Sequence, residues 1–196
     1  MIKIVLSILL VGLSGVVSAH PGHDLVGNNF ASAYAGFIHP LTGWDHLLVM
    51  LAIGIWASKL GGKARWQLPL TFLISMTIGA LMALAGITFS GVETAIAASV
   101  MAMGLLLAIN LPISAISRIG IVAIFAVFHG LAHGVELHLQ QNYAVLGGML
   151  LATALLHGAG LLLGSLLNSQ RAQLTKWLQN GLALGMMLVG GYLLIA

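Results

Sequence analysis

Two short runs in this chain hold residues that could do chemistry together. The first, HPLTGWDH, carries His39, Asp45 and His46; the second, FHGLAHGVE, carries His129, His133 and Glu136. On a helix, His129, His133 and Glu136 stand four and three residues apart and share one stripe. Two imidazoles and a carboxylate on one face suit a divalent transition metal, by the same logic that pairs histidines in helical zinc motifs. The chain has eight histidines, four acidic residues and no cysteine. Disulfides, thiolate zinc sites and iron–sulfur clusters are therefore excluded. A metal here must be held by imidazole, carboxylate, thioether or backbone oxygen. Against this stands the reading of these histidines as hydrogen-bonding glue between helices. Asp45 also has a second reading, as the carboxylate favoured at a helix N-terminus, which is compatible with a ligand role.

The elements that must position these residues are membrane helices. The chain is 60% hydrophobic and only 6% charged, with mean hydropathy +1.08, whereas a soluble domain carries about 25% charged residues. This composition leaves no water-exposed domain. The first segment, MIKIVLSILLVGLSGVVSAHPGHD, has a basic start, a short apolar stretch and small residues at Val17-Ser18-Ala19. It reads as a signal peptide over residues 1–19, cut after Ala19; the competing reading is an uncleaved first helix. The remaining 20–196 form one membrane domain. Apolar windows of about 20 residues predict six spans, at about 41–60, 66–86, 92–109, 114–136, 143–167 and 177–195. The expected fold is all-α, a polytopic six-helix transmembrane bundle with sequential helices as antiparallel neighbours. Asn28 to Ile38 reads as a short interfacial helix or re-entrant piece. Pro40 and Gly43 interrupt regular helix, which puts His39 on a bent or unwound piece.

The basic residues set the orientation. Lys59, Lys63 and Arg65 lie between the first two spans, Arg118 between the third and fourth, and Arg171 and Lys176 between the last two. All fall on one side, which the positive-inside rule makes the cytoplasm. The mature N-terminus and the C-terminus then face outward. The pI near 9.6 is read as this topology signal and not as nucleic-acid binding. In this frame the first run lies near the outer end of the first span, and His129 lies about 16 Å above Arg118, near the bilayer middle. Gly130 and Gly134, at small-xxx-small spacing, let another helix approach closely, as a metal site shared between the two runs would need.

Weaker candidates follow. His20 and His23 read as a disordered outer tail or a loose collecting site. His157, past the midplane of the fifth span, reads equally as an exit ligand or as structural glue. Met50, one turn below His46, offers a soft ligand, though packing is the commoner use of methionine. Glu93 reads as a solvated carboxylate at a helix start. Gly160 with Gly164, and Gly181 with Gly185, read as helix-packing pairs, and Trp44, Trp66 and Trp177 as interfacial anchors.

The chain resembles the HupE/UreJ family of nickel and cobalt permeases over essentially its whole length. The resemblance rests on HPLTGWDH as His-x5-Asp-His in the first span and on HGLAHGVE in the fourth. It implies that His39, Asp45 and His46 are required for uptake, with His129, His133 and Glu136 as their companion set. It further implies a permease of the bacterial inner membrane that imports Ni2+ or Co2+ as its substrate, for maturation of metalloenzymes such as hydrogenase or urease. No prosthetic group and no enzymatic activity are expected, and the partners are the metal ion and the lipid bilayer. An intramembrane metal-dependent hydrolase built on the same ligands is the alternative; a metal-delivery partner is a third reading. The sequence leaves the oligomeric state open.

Overall fold

The computed structural model describes residues 29–109, 111–140, 143–169 and 172–195, without the side chains of 136–140, 168–169 and 172–176. The predicted signal peptide, with His20 and His23, lies outside the described residues. The described chain is all helical: α1 (Asn29–Thr42), α2 (Trp44–Leu60), α3 (Ala64–Leu84), α4 (Val92–Ala108), α5 (Ala115–Gln140), α6 (Tyr143–Ser169) and α7 (Ala172–Ile195). Large apolar side chains point outward on every face. On α3 these are Leu70, Ile74, Ile78 and Leu81, while histidine, serine and threonine are buried. That inversion suits a lipid surround, in which the helix satisfies its own backbone polar groups.

The expected count of six full spans is not what the helix lengths give. Four helices, α3, α5, α6 and α7, are long and apolar enough to cross a membrane. A fifth crossing is available if α1 and α2, bent by 80° to each other, count as one broken span. α4 has 17 residues, about 26 Å of helix, short of the hydrocarbon thickness of about 30 Å. The expected interfacial or re-entrant piece is α1, which runs on through Pro40 to Thr42. The break falls at Gly43, whose backbone is extended (φ −84°, ψ 114°). Pro40 lacks an amide hydrogen yet is accommodated in the last turn. His39 is therefore helical and not unwound, and its carbonyl accepts the Thr42 hydroxyl at 2.9 Å.

Glycine decides which helices touch. A Cβ on Gly130 would meet the Met76 carbonyl, and one on Gly79 would meet that of Val127, so α3 and α5 are in backbone contact. Gly54 and Gly160 bring α2 and α6 together in the same way, and Gly36 and Gly148 bring α1 onto α6. Gly104 faces Ala183, and Gly190 faces Met101, which joins α4 to α7. The closest packing is thus within three groups, α1–α2–α6, α3–α5 and α4–α7; the first two meet more loosely. This corrects the expectation of sequential antiparallel neighbours. The contacts of α3 with α5, and of α2 with α6, advance together along both chains, so these helices run parallel. They are even numbers of helices apart, as helices of like direction must be when each crossing reverses the last.

Two glycine expectations also need correction. Gly130 and Gly134 do not serve the helix that carries His39 and His46: they seat α3, with Gly134 against Ala80 and Ala83. Gly181 and Gly185 seat nothing, since a Cβ on either would meet no atom within 4 Å. Gly160 and Gly164 do pack as expected, the latter against Ser58. Trp44, Trp66 and Trp177 are exposed, as interfacial anchors would be, and Glu93 is exposed in the first turn of α4.

Candidate metal centre

The bend at Gly43 determines where the first run points. It turns the last turn of α1 and the first turn of α2 toward each other, so that His39 and His46 face across a corner with ring centroids 6.1 Å apart. There is little room at the corner for a side chain: a Cβ on Gly43 would lie 3.0 Å from Asp45 Oδ1 and 3.3 Å from His46 Nδ1. Asp45 and His46 are adjacent in a helix and would ordinarily face apart. At the start of α2, however, the carboxylate folds back. Its Oδ1 accepts both the His46 backbone amide at 2.8 Å and the His46 ring Nδ1–H at 2.8 Å. Asp45 therefore satisfies a free amide in the first turn of α2, as its helix-start reading expects, and also grips an imidazole.

α5 supplies the other half. His129 and His133 lie on one stripe, as their spacing predicts, and both are almost fully buried. The His46 ring stands 4.9 Å from that of His129 and 4.6 Å from that of His133, and His39 stands 5.0 Å from His133. With metal–nitrogen bonds of about 2.1 Å, two imidazoles on one ion hold their centroids about 4.5–5.5 Å apart. Three of the four distances fall in that range. The rings sit mostly edge to face, and among the described residues no three side chains already stand as a set that could hold an ion. The spacing is that of a ligand cluster; the ring orientations are not yet those of a loaded one.

Hydrogen bonding settles two of the tautomers. A carboxylate and a carbonyl only accept, so His46 carries its proton on Nδ1, toward Asp45. His129 likewise donates from Nδ1 to the Phe125 carbonyl at 2.8 Å. In both rings the lone pair is then on Nε2, which is buried and has no hydrogen-bond partner among the described residues. A buried polar atom left so costs about 1–3 kcal/mol. Tying one ring nitrogen to a protein oxygen and leaving the other bare is the arrangement that metal-bound histidines use.

Of the six expected ligands, the structure brings together His39, Asp45, His46, His129 and His133. The Glu136 side chain lies outside the described residues. Met50 is fully buried in the apolar core. His157 is buried in α6, one layer away. Its ring lies 5.2 Å from Phe72, which in turn lies 5.4 Å from His129. Sequence reasoning missed Phe72, because one aromatic in an apolar span carries no signal; only the fold places its ring against two imidazoles.

The family described as "HupE / UreJ protein" matches residues 8–193. "Protein HupE" of Rhizobium leguminosarum bv. viciae is 38% identical over 180 residues, covering 91% of this chain and 92% of the relative. No solved structure matches the chain. With a match over nearly the whole chain, and both histidine runs inside it, the chain belongs to the HupE/UreJ family.

Proposed function

We propose that this protein is a permease, not an enzyme, that carries a divalent transition metal, Ni2+ or Co2+, inward across the bacterial inner membrane. The observation that carries the reading is the matched pair of His46 and His129. Both rings are anchored through Nδ1, both present a bare, buried Nε2, and they stand 4.9 Å apart. An arriving cation would relieve both unsatisfied atoms at once. His39 and His133 complete the ring of imidazoles, and Glu136, on the same helix, is the further carboxylate of the outer site. Imidazole without thiolate favours nickel, cobalt, copper and zinc over magnesium and calcium, and the resemblance to nickel and cobalt permeases supports those two. The absence of cysteine also suits a carrier, which must release what it binds.

In this reading the chain crosses six times, with α1–α2 as one broken span and α4 as a short one. Both mature ends are periplasmic. The parallel pairing of α2 with α6 and of α3 with α5 supports alternating crossings. Lys63 and Arg118 line one groove, at the ends of α3 and α5 away from the imidazoles, which supports a common cytoplasmic end. Uptake of labelled nickel and cobalt by cells carrying wild type, Asp45→Asn or His133→Ala at matched membrane levels tests the proposal. Wild-type cells should accumulate metal and both variants should lose it. Normal uptake by the variants would return these histidines to a structural role.

A further inference from the structure

Among the described residues, His157 is the one buried imidazole that the outer cluster does not use. It is 1% exposed, in the middle of α6, and neither ring nitrogen has a hydrogen-bond partner among the described residues. A histidine serving as glue between helices would donate or accept at least one bond, and among the described residues His157 makes none. An imidazole held this way is polar at both ends with nothing to satisfy it, at the depth where such a group is most costly.

Its surroundings are ordered like a path. The Phe72 ring, fully buried, meets both His129 and His157, edge to face in both contacts. One turn along α6 from His157, the buried Thr153 hydroxyl reaches toward the Met76 sulfur at 4.0 Å. On the same stretch of α6, a mostly apolar groove is lined by Ala154, Leu155, Gly158 and Ser165 together with Ser58 and Arg65. Ser58 Oγ is itself buried without a partner.

We propose that His157 is a second, inner cation station, separated from the outer imidazole cluster by the Phe72 ring. The ion passes from His129 to His157 as the phenyl ring swings aside, and the aromatic face offers a cation a weakly attractive surface during the step. A single imidazole binds more weakly than the outer cluster, as onward release requires. This inference rests on the permease reading and places a further ligand on its route.

Full-length protein in proteoliposomes with Ni2+ as the probe tests it. His157→Phe keeps a ring of similar volume and removes the nitrogens. It should leave equilibrium nickel binding within about twofold of wild type and lower influx at least tenfold. His157→Cys, in a chain with no other cysteine, keeps a ligand atom. It should retain more influx than His157→Phe and, on adding nickel, show a sulfur-to-metal charge-transfer band in the near ultraviolet. Wild-type influx by His157→Phe, an equal loss of binding and influx, or no such band from the cysteine variant would each overturn the inner station. Those results would leave the outer site standing if Asp45→Ala still loses influx. Wild-type protein that carries no nickel would instead remove the permease reading itself.

Discussion

Asp45 offers the sharpest test of how the outer site works, because the structure gives it two jobs on one atom. Its Oδ1 holds the His46 amide and ring Nδ1–H, each at 2.8 Å. The second of these bonds fixes both the tautomer and the direction of Nε2. Partners of this kind contribute about 10–100-fold to metal affinity, or about 1.4–2.8 kcal/mol. Asp45→Asn retains an acceptor oxygen but loses the charge that strengthens the bond, so it belongs near the lower end, with about tenfold weaker nickel binding. Asp45→Ala frees the ring to rotate and to carry its proton on either nitrogen, and belongs near about 100-fold. Equilibrium nickel binding to the purified full-length protein reads both values, and initial uptake rates over a range of nickel concentrations show whether transport follows. The order matters more than the sizes. If Asp45→Ala binds nickel as tightly as Asp45→Asn, or either binds as tightly as wild type, Asp45 does not orient His46 and the tautomer argument collapses.

Four further outcomes are expected. Gly130→Ala would drive a methyl into the Met76 carbonyl and should destabilise the protein by about 1–3 kcal/mol, whereas Gly181→Ala meets open space and should be neutral or slightly stabilising; thermal unfolding in detergent compares them. A periplasm-active reporter fused after Ala196 should be active, and activity from a cytoplasm-specific reporter instead would undo the six-crossing topology. Intact mass of the purified protein should begin at His20, and retention of 1–19 would make that segment a further helix. Uptake should fall as external pH drops through the range of free imidazole, about 6.5, since protons compete with the metal for nitrogen; a flat profile from pH 7.5 to 5.5 would argue against imidazole ligands.

The site was more legible in the sequence than the fold that assembles it. Four-residue spacing put His129 and His133 on one stripe because helix geometry is local, and the low charge of the chain made helices near certain at those positions. The grip of Asp45 on His46 was not legible, since adjacent residues face each other only where the helix is starting. The break at Gly43 and not at Pro40 was half visible: both residues disturb a helix, but a proline near the end of one can be absorbed. Partner choice was the real failure. Small-xxx-small spacing says that a backbone approaches closely and not which one. Gly130 and Gly134 therefore looked like the seat of the first histidine run and turned out to seat α3, while Gly181 and Gly185 seat nothing.

The glycine contacts also divide the proposed ligands between two bodies. His39, His46 and His157 belong to the group formed by α1, α2 and α6. His129, His133 and the Phe72 septum belong to the group formed by α3 and α5. Within each group backbone lies on backbone, and between them the packing is looser. An ion bound by imidazoles from both sides is then a fastener across a seam, and its binding energy is spent partly on holding the two bodies shut. Occupancy and closure become one equilibrium, and any force that parts the seam weakens the grip on the cargo by the same free energy that the cargo exerts against parting. Small relative sliding of two stiff bodies, a shear of the kind packed helices permit, would suffice to trade one set of ligands for the next without unfolding either.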